Sequence, residues 1–307
     1  MTNYGLIDLG SNSIRLVVYE VKDGRAAKGR TPEFRSLIND KVMAGLAAYV
    51  ADGVFTQAGI DKAASVLRSH ARHAQYFKCR KLEVFATAVL RNATNSKAAV
   101  AAIEKASGLS ITLLSERDEA HLGFAGTCCD APITRGTLVD IGGGSTELTR
   151  VKGGRDSDHV SLPQGSLSSF AGEVRGVIPT PQEARAISER LRARLAELPS
   201  LEPYRAEVLY GIGGSARAAA KMYAQMNGLP ARPKTLTSDQ IGEIIQACHD
   251  RPDDFAHTAL KASAERVHTL VPGCIILQTL FEELGASRLE IGKRGVREGY
   301  LVERMLR

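Results

Sequence analysis

The sequence has no tryptophan, few other aromatic residues and no long apolar run. Its 307 residues include eight Phe and eight Tyr, so aromatic side chains make up only 5% of the chain. No apolar run approaches the roughly 18 to 20 residues that span a bilayer. Residues 1–4 lead directly into a predicted strand, without the basic and apolar regions of a secretory signal. We therefore expect a globular protein in the cytoplasm, with no membrane partner.

The cysteine content and the net charge exclude some protein classes and indicate which partners to expect. The five cysteines include no C-x-x-C pair and are odd in number, which argues against a disulfide framework and against a zinc site. Lys and Arg number 40 against 34 Asp and Glu, which gives a net charge of +6. This mild excess would steer polyanions toward the chain. No basic cluster is interleaved with aromatic residues, so nucleic acid is not an expected partner.

A short pattern occurs twice, 132 positions apart. Residues 6–13 read LIDLGSNS and residues 138–145 read LVDIGGGS. Each copy is an apolar strand that carries an aspartate, Asp8 or Asp140, and enters a turn of small residues before a second strand. An acidic strand end beside such a turn can hold a metal ion next to phosphate oxygens. The repeat therefore predicts a duplicated fold with one shared cleft.

Strands alternate with helices in both halves of the chain, which predicts an α/β fold. Each half opens with a hairpin, and a basic, irregular stretch follows the first one. The predicted hairpins cover residues 4–21 and 137–151, the further strands 82–86, 111–114, 208–210 and 288–291, and the helices 57–77, 96–107, 115–125, 180–198, 215–225, 238–249, 271–284 and 295 onward. The pattern breaks near residues 128–135. We predict domains of 1–128 and 129–307, with the terminal helix able to pack back on the first.

The small-residue turns are the candidate phosphate sites, because their backbone N–H groups can point at an anion. They are Gly10 and Ser11 in the first copy and residues 142–145 in the second. A third glycine turn, 211–216, follows a strand and opens a helix, where amides and the helix dipole favour anions. It also matches the dinucleotide pattern G-x-G-x-x-A. No strand ending in an acidic residue follows about 20 positions later, which disfavours a dehydrogenase.

Carboxylates near these turns are candidates for the chemistry. In the second hairpin Ser145, Glu147 and Thr149 share one face of the strand. The first hairpin has Arg15 where the second has Glu147. Residues 115–120 place three carboxylates in one helical turn, a pattern that is also common at ordinary helix starts. The two hairpins thus correspond in sequence position, but one has a basic residue where the other has an acidic one.

Histidine pairs occur away from the turns. His70 and His73 lie among arginines on one predicted helix, and we interpret them as part of a solvated basic face. His249 and Asp250 form an HD dipeptide without an accompanying set of metal ligands. We interpret that dipeptide as a surface feature.

Seven motifs are distributed over nearly the whole chain. They are IDLGSNSIRL at 7–16, ATAVLRNATN at 86–95, LSERDEA at 114–120, VDIGGGSTEL at 139–148, SLPQGSL at 161–167, GIGGSARA at 211–218 and GVREG at 295–299. In order and spacing they resemble the exopolyphosphatase/guanosine pentaphosphate phosphohydrolase (Ppx/GppA) family of the actin, Hsp70 and sugar-kinase superfamily. The resemblance implies two RNase H-like domains of the actin-like ATPase type, with the active site in the cleft between them.

The resemblance also implies a role for each matching residue. Glu119 and Glu147 correspond to catalytic carboxylates. Arg91 would grip the substrate phosphate, and Arg266 would contact the substrate as well. The implied phosphate loops are Gly10, Ser11, Asn12 and Ser13; Gly142, Gly143, Gly144 and Ser145; and Gly213, Gly214 and Ser215. Asp8 and Asp140 would bind Mg²⁺, for which Mn²⁺ is an alternative and a monovalent cation a further candidate.

The implied reaction is hydrolysis of the terminal phosphate of inorganic polyphosphate. Glu119, helped by Glu147, would orient and deprotonate the attacking water, while the cation and the loop amides neutralise phosphate charge. Hydrolysis of guanosine pentaphosphate at its 5′ end uses the same residues and is an alternative. A non-catalytic polyphosphate or nucleotide sensor is a second one, although a sensor would be expected to lose Glu119 or Glu147. A sugar or acetate kinase is disfavoured by the Glu119 segment and the GVREG end.

Three features depart from the family pattern. Residues 42–46 read VMAGL, where many members have the Arg and Glu of RLGEGL. Arg117 stands where an acid is usual. The sequence also stops without the helical C-terminal extension that larger members use in dimerisation, and a homodimer is compatible with what remains.

Overall fold

Two sheets with closely similar strand order organise the chain. The computed structural model describes residues 1–22 and 33–306. The strands are β1 (Thr2–Leu9), β2 (Ile14–Val21), β3 (Phe34–Val42), β4 (Val50–Ala51), β5 (Val54–Phe55), β6 (Lys81–Ala86), β7 (Ile111–Leu113), β8 (Arg135–Ile141), β9 (Thr146–Lys152), β10 (Arg155–Leu162), β11 (Val208–Ile212), β12 (Thr235–Thr237) and β13 (Arg288–Ile291). The helices are α1 (Gln57–Tyr76), α2 (Ala88–Arg91), α3 (Ser96–Ser107), α4 (Glu116–Cys128), α5 (Ser166–Glu173), α6 (Pro181–Ala196), α7 (Gly213–Met226), α8 (Ser238–Asp250), α9 (Pro252–Ser263), α10 (Val267–Leu284) and α11 (Val296–Tyr300), which continues into a π-helical turn, Leu301–Met305.

The chain packs into two compact units. The first consists of Met1–Cys129 together with the segment that begins at Val296, and the second is Asp130–Gly295. The sequence-based division placed the boundary after residue 128 and counted the C-terminal helix with the second domain, while allowing it to pack back on the first. That helix belongs to the first unit, because α11 packs against α4.

The first sheet has the order β3-β2-β1-β6-β7. Strand β1 lies in the centre, antiparallel to β2 and parallel to β6. Side chains alternate between the faces of the sheet, so Ile7 and Leu9 pack on one face with α1 and α3, while Leu6 packs on the other with the C-terminal segment. Asp8 shares the face of Leu6 and therefore points toward the side that the C-terminal segment covers.

The second sheet repeats this arrangement with the order β10-β9-β8-β11-β13-β12. Strand β8 takes the place of β1, antiparallel to β9 and parallel to β11. One continuous cluster of buried side chains joins this sheet to helices α6, α7, α8 and α10. Within the described residues, none of the helices has the length and apolar character needed to cross a membrane.

Helix starts and ends follow from local sequence. Thr56 and Ser115 cap α1 and α4, since their side-chain oxygens accept hydrogen bonds from backbone N–H groups in the first turn. Thr180 and Glu183 form a reciprocal capping box at the start of α6. Gly108 ends α3 with a φ of 74°, the left-handed conformation that favours glycine at this position.

The predicted strongly periodic elements are present, with ends shifted by a few residues. Eight further elements of the described residues were not predicted: β3, β4, β5, β10, β12, α2, α5 and α9. Part of the basic stretch after the first hairpin, 23–32, lies outside the described residues, and the part that follows forms β3. Strands β3 and β10 lie at sheet edges and each buries a single residue, so their sequences lack the alternation of apolar and polar residues that marks a half-buried strand.

The C-terminal segment is packed closely into the first unit. The rings of Phe85 and Tyr300 stack with centroids 5.1 Å apart, and the Tyr300 hydroxyl donates to Glu83 Oε2 at 2.6 Å. Gly299 lies against α4 so tightly that a Cβ atom there would come within 1.9 Å of the carbonyl oxygen of Leu122. Glycine is therefore required at 299 for this helix contact.

We predict that Gly299→Ala lowers the free energy of unfolding by about 1 to 3 kcal/mol, the usual cost of overpacking a tight contact. The matched control is Gly242→Ala in α8, where the nearest atom to an added Cβ is 4.0 Å away. That change should instead stabilise the helix by about 0.5 to 1 kcal/mol. Calorimetric melting of both variants and the unchanged protein tests this, and equal shifts for the two variants would contradict the close-contact argument.

Candidate active site

The two repeated turns close with the same hydrogen bond. In the first hairpin the N–H of Gly10 donates to the carbonyl of Ser13 at 3.1 Å, and in the second the N–H of Gly142 donates to the carbonyl of Ser145 at 2.9 Å. Each turn follows the central strand of its sheet. The repeated sequence therefore forms a repeated structure, with the turns at equivalent places in the two units.

Neighbouring backbone braces the first turn. The N–H of Gly45 donates to the carbonyl of Asn12, and that of Ala47 to the carbonyl of Ser11, both at 2.9 Å. Gly45 has a φ of 58°, a conformation that glycine adopts at little cost. The segment 42–46, which lacks the family's usual Arg and Glu, thus supports the loop through its main chain.

The start of α5 braces the second turn. The N–H groups of Ser166 and Leu167 donate to the carbonyls of Gly142 and Gly143, each at 2.9 Å. A Cβ atom on Gly165 would lie only 2.6 Å from the carbonyl carbon of Gly143. The motif at 161–167 is therefore explained as the support of this loop.

Two carboxylates face each other in the second hairpin. Asp140 on β8 and Glu147 on β9 are directly opposite in the antiparallel register, so their side chains project from the same face of the sheet with Cβ atoms about 5 Å apart. Glu147 is 5% exposed, and its Oε1 accepts hydrogen bonds from Ser145 at 2.6 Å and Ser161 at 3.0 Å. Like charges so placed repel one another and favour binding of a cation.

The third glycine turn contacts this carboxylate pair. Gly213 has a φ of 76°, and a Cβ atom there would lie 2.2 Å from Asp140 Oδ1. Asp140 thus lies at the N-terminus of α7, where the helix dipole stabilises negative charge. An added Cβ on Gly214 would meet the Arg266 guanidinium at 1.9 Å. Ser215 donates its hydroxyl hydrogen to the carbonyl of Ile141 at 2.9 Å, which ties this turn to β8.

In the first hairpin an arginine side chain compensates the negative charge of Asp8. Arg297 Nη1 donates to Asp8 Oδ2 at 2.9 Å, and both side chains are about four-fifths buried, with 20% and 22% exposed. Burial alone would lower the pKa of Arg297, but the carboxylates of Asp8 and Glu298 hold it above the usual range. Asp8 therefore has a cationic partner from the chain itself, while its role as a metal ligand stays a prediction. Sequence reasoning noted Arg297 only as part of the GVREG motif.

A second ion pair in the first unit joins two predicted site residues, Arg91 and Glu119. Arg91 ends α2, Glu119 lies in the first turn of α4, and Nη1 donates to Oε2 at 2.6 Å with both side chains nearly buried. The same Nη1 reaches the carbonyl of Leu114 at 3.2 Å. Arg91 Nε and Nη2 are buried and have no hydrogen-bond partner among the described residues. Arg117, by contrast, is exposed and does not interrupt this pair.

Each unit gathers one set of the predicted site residues. The first set, at the ends of β1 and β6 and the start of α4, is Asp8, Gly10, Ser11, Asn12, Ser13, Arg91 and Glu119. The second set, at the ends of β8 and β11, is Asp140, Gly142, Gly143, Gly144, Ser145, Glu147, Gly213, Gly214, Ser215 and Arg266. The opposed oxygens of Asp140 and Glu147 and the close approach permitted by Gly213 fit a hard divalent cation, which prefers oxygen ligands.

Duplicated α/β units that each present a glycine/serine loop and a carboxylate define a phosphate-handling enzyme of the actin-like class. The sequence model of the Ppx/GppA phosphatase family matches residues 17–307. The chain belongs to the Ppx/GppA phosphatase family and is a phosphoanhydride hydrolase. The family predicted from the seven motifs is therefore confirmed.

Individual relatives agree with this assignment. Exopolyphosphatase 1 of Mycobacterium tuberculosis is 26% identical over 310 aligned residues, which cover 98% of this chain and 88% of that protein. The crystal structure of an Aquifex aeolicus member of the Ppx/GppA family is similar with a TM-score of 0.77 and 23% identity, covering 99% of this chain and 98% of that one. An exopolyphosphatase from Cytophaga hutchinsonii gives a TM-score of 0.82 at 17% identity, covering 98% and 96%. These likenesses confirm the two-domain actin-like α/β fold.

We predict that Asp8 and Arg297 are strongly coupled in a double-mutant cycle. Breaking a partly buried pair leaves an uncompensated charge, so Asp8→Asn and Arg297→Met should each cost about 1 to 3 kcal/mol, and the double variant should cost less than their sum by more than about 1 kcal/mol. Urea unfolding of the four proteins measures this.

The matched control is the pair Asp118–Arg304 in the same unit. It has the same N···O distance of 2.9 Å, but its side chains are 41% and 53% exposed. Solvent screening should reduce its coupling energy to about 0.5 kcal/mol or less. Equal coupling in the two pairs would show that burial does not strengthen the Asp8–Arg297 contact.

Proposed function

We propose that the chain is an exopolyphosphatase that releases the terminal phosphate of inorganic polyphosphate in a metal-dependent reaction in the cytoplasm. Family membership and the mycobacterial exopolyphosphatase relative support this. The observation that carries it is the environment of Arg91, whose Nε and Nη2 donors are buried without partners among the described residues while Nη1 holds Glu119. A planar guanidinium with two remaining donors matches two oxygens of a phosphate group.

Glu119 is the proposed general base. Its hydrogen bond from Arg91, at 2.6 Å, fixes the carboxylate beside the donors that would bind the phosphate. A carboxylate so placed can orient a water molecule toward the phosphorus atom and accept its proton as the new P–O bond forms. The proton thus moves to a Glu119 oxygen while the bond to the remaining phosphate chain breaks.

Backbone amides, an arginine and a cation would neutralise charge on the transferring phosphate. The loops at residues 10–13, 142–145 and 213–215 offer backbone N–H groups, and Arg266 adds a positive charge. Asp140 and Asp8 would hold Mg²⁺, with Mn²⁺ as the alternative, and Glu147 would assist Glu119 on the water side. When bound, the cation stabilises the charge that develops on the phosphate oxygens.

We predict that Glu119→Gln lowers kcat for polyphosphate hydrolysis by about 10² to 10⁴, because an amide cannot accept the proton from water. The matched control is Glu116→Gln, the same chemical change three residues earlier on the exposed side of the α4 start. It should leave kcat within about twofold, since a solvent-exposed carboxylate that contacts no substrate contributes little to the barrier. An unchanged kcat in Glu119→Gln would refute the assignment.

A substrate panel tests the choice of substrate. Guanosine pentaphosphate hydrolysis is the alternative, because the matching family includes both activities by name. Phosphate release with Mg²⁺ should be compared side by side for long polyphosphate, short polyphosphate, guanosine pentaphosphate and ATP. We expect the highest kcat/KM with polyphosphate. A preference for the guanosine nucleotide would support the alternative, and binding of polyphosphate without release would indicate a sensor.

A further inference from the structure

Two histidines of α1 and an aspartate of the edge strand β3 meet in the first unit. His70 and His73 lie one helical turn apart, and Asp40 Oδ2 lies 3.3 Å from His70 Nδ1 and 2.8 Å from His73 Nδ1. The three ligand atoms all lie within 4.8 Å of one another. The sequence-based interpretation of both histidines as a solvated face is wrong for His70, whose side chain is 1% exposed, whereas His73 is 51% exposed.

The buried imidazole of His70 is not satisfied by its protein neighbours. Its Nε2 lies 3.5 Å from the carbonyl oxygen of Ile14, and no hydrogen bond from the described residues reaches its Nδ1. A neutral imidazole has one N–H group and one lone pair. Either tautomer therefore turns a lone pair toward an oxygen, of Asp40 in one case and of Ile14 in the other.

A neutral imidazole nitrogen is the form that binds metal ions, and the buried ring of His70 offers one 3.3 Å from a carboxylate oxygen of Asp40. A cation other than a proton, placed between the nitrogen and the carboxylate oxygen, would satisfy both atoms.

Two of the three separations between the ligand atoms can be compared with those of a tetrahedral ion, and the third is at most 4.8 Å. Metal–ligand bonds of about 2.0 to 2.2 Å in a tetrahedron place neighbouring ligand atoms about 3.3 Å apart. The His70–Asp40 separation of 3.3 Å has this value. The His73–Asp40 separation of 2.8 Å must widen by about 0.5 Å, which the half-exposed ring of His73 can accommodate.

We propose that Asp40, His70 and His73 bind a zinc-class transition-metal ion, with solvent in the fourth position. Two imidazole nitrogens and one carboxylate oxygen favour Zn²⁺ or Co²⁺ over Mg²⁺. Cysteine spacing argued against zinc in this chain, but the site needs no cysteine. The ion would join β3 to α1 and fix His70 against Ile14, the first residue of β2 after the loop at 10–13.

Metal titration of the full chain tests the proposal independently of its enzymatic activity. The protein is first stripped with a chelator and then titrated with Co²⁺ and with Zn²⁺ in excess Mg²⁺, which occupies oxygen-rich sites. We expect one equivalent of Co²⁺ to bind with the visible absorbance of a tetrahedral nitrogen and oxygen site, and Zn²⁺ to displace it. Bound Zn²⁺ should also raise the melting temperature.

Three variants give the decisive comparison. His73→Ala removes an exposed ligand without opening the core, Asp40→Asn keeps the side-chain shape, and each should weaken Zn²⁺ binding more than about tenfold. His257→Ala changes an exposed histidine of α9 and should bind Zn²⁺ as the unchanged protein does. Stoichiometric binding that survives both His73→Ala and Asp40→Asn, or no binding by the unchanged protein at micromolar Zn²⁺, would overturn the proposal.

Discussion

A partly buried carboxylate at the end of the central strand is the constraint on which both units depend. Such a charge must be compensated, since removal from water disfavours the ionised form. The first unit uses Arg297 against Asp8, at 2.9 Å. The second places Asp140 against Gly213 at the N-terminus of α7 and adds a second carboxylate, Glu147, on the neighbouring strand. The first unit therefore pairs its aspartate with a cationic side chain, and the second sets two carboxylates opposite each other on neighbouring strands.

The C-terminal segment supplies the charge that compensates Asp8 in the first unit. Arg297 reaches Asp8 only because α11 packs on the face of the sheet that Asp8 shares with Leu6. Gly299 permits the close approach to α4, and Tyr300 anchors the segment on Glu83. The GVREG motif thus contains Gly299, which allows close packing on α4, and Arg297, which neutralises the charge of Asp8.

Much of the fold could be predicted because the central elements carry strong periodicity and clear end signals, as in α1 and α3. The edge strands β3 and β10 could not, because an exposed edge selects polar residues without alternation. Helix α5 was missed because three N–H groups of its first turn donate to the carbonyls of Gly142 and Gly143, while its local cap is a single hydrogen bond from the N–H of Gly165 to Ser168 Oγ. The motif residues were identified from sequence, whereas the supporting roles of Gly45 and Arg297 depend on packing between distant parts of the chain.

The burial of His70 could have been predicted from its position in the sequence of α1. His70 lies three residues after the apolar Leu67, and residues three apart share one side of a helix. The structure buries Leu67, His70 and Ala74 together. The arginines at 68 and 72 directed the interpretation toward a solvated face, although residues adjacent in sequence point to different sides of a helix. Periodicity alone would have placed a polar ring in the core, and a buried imidazole requires a partner for each nitrogen.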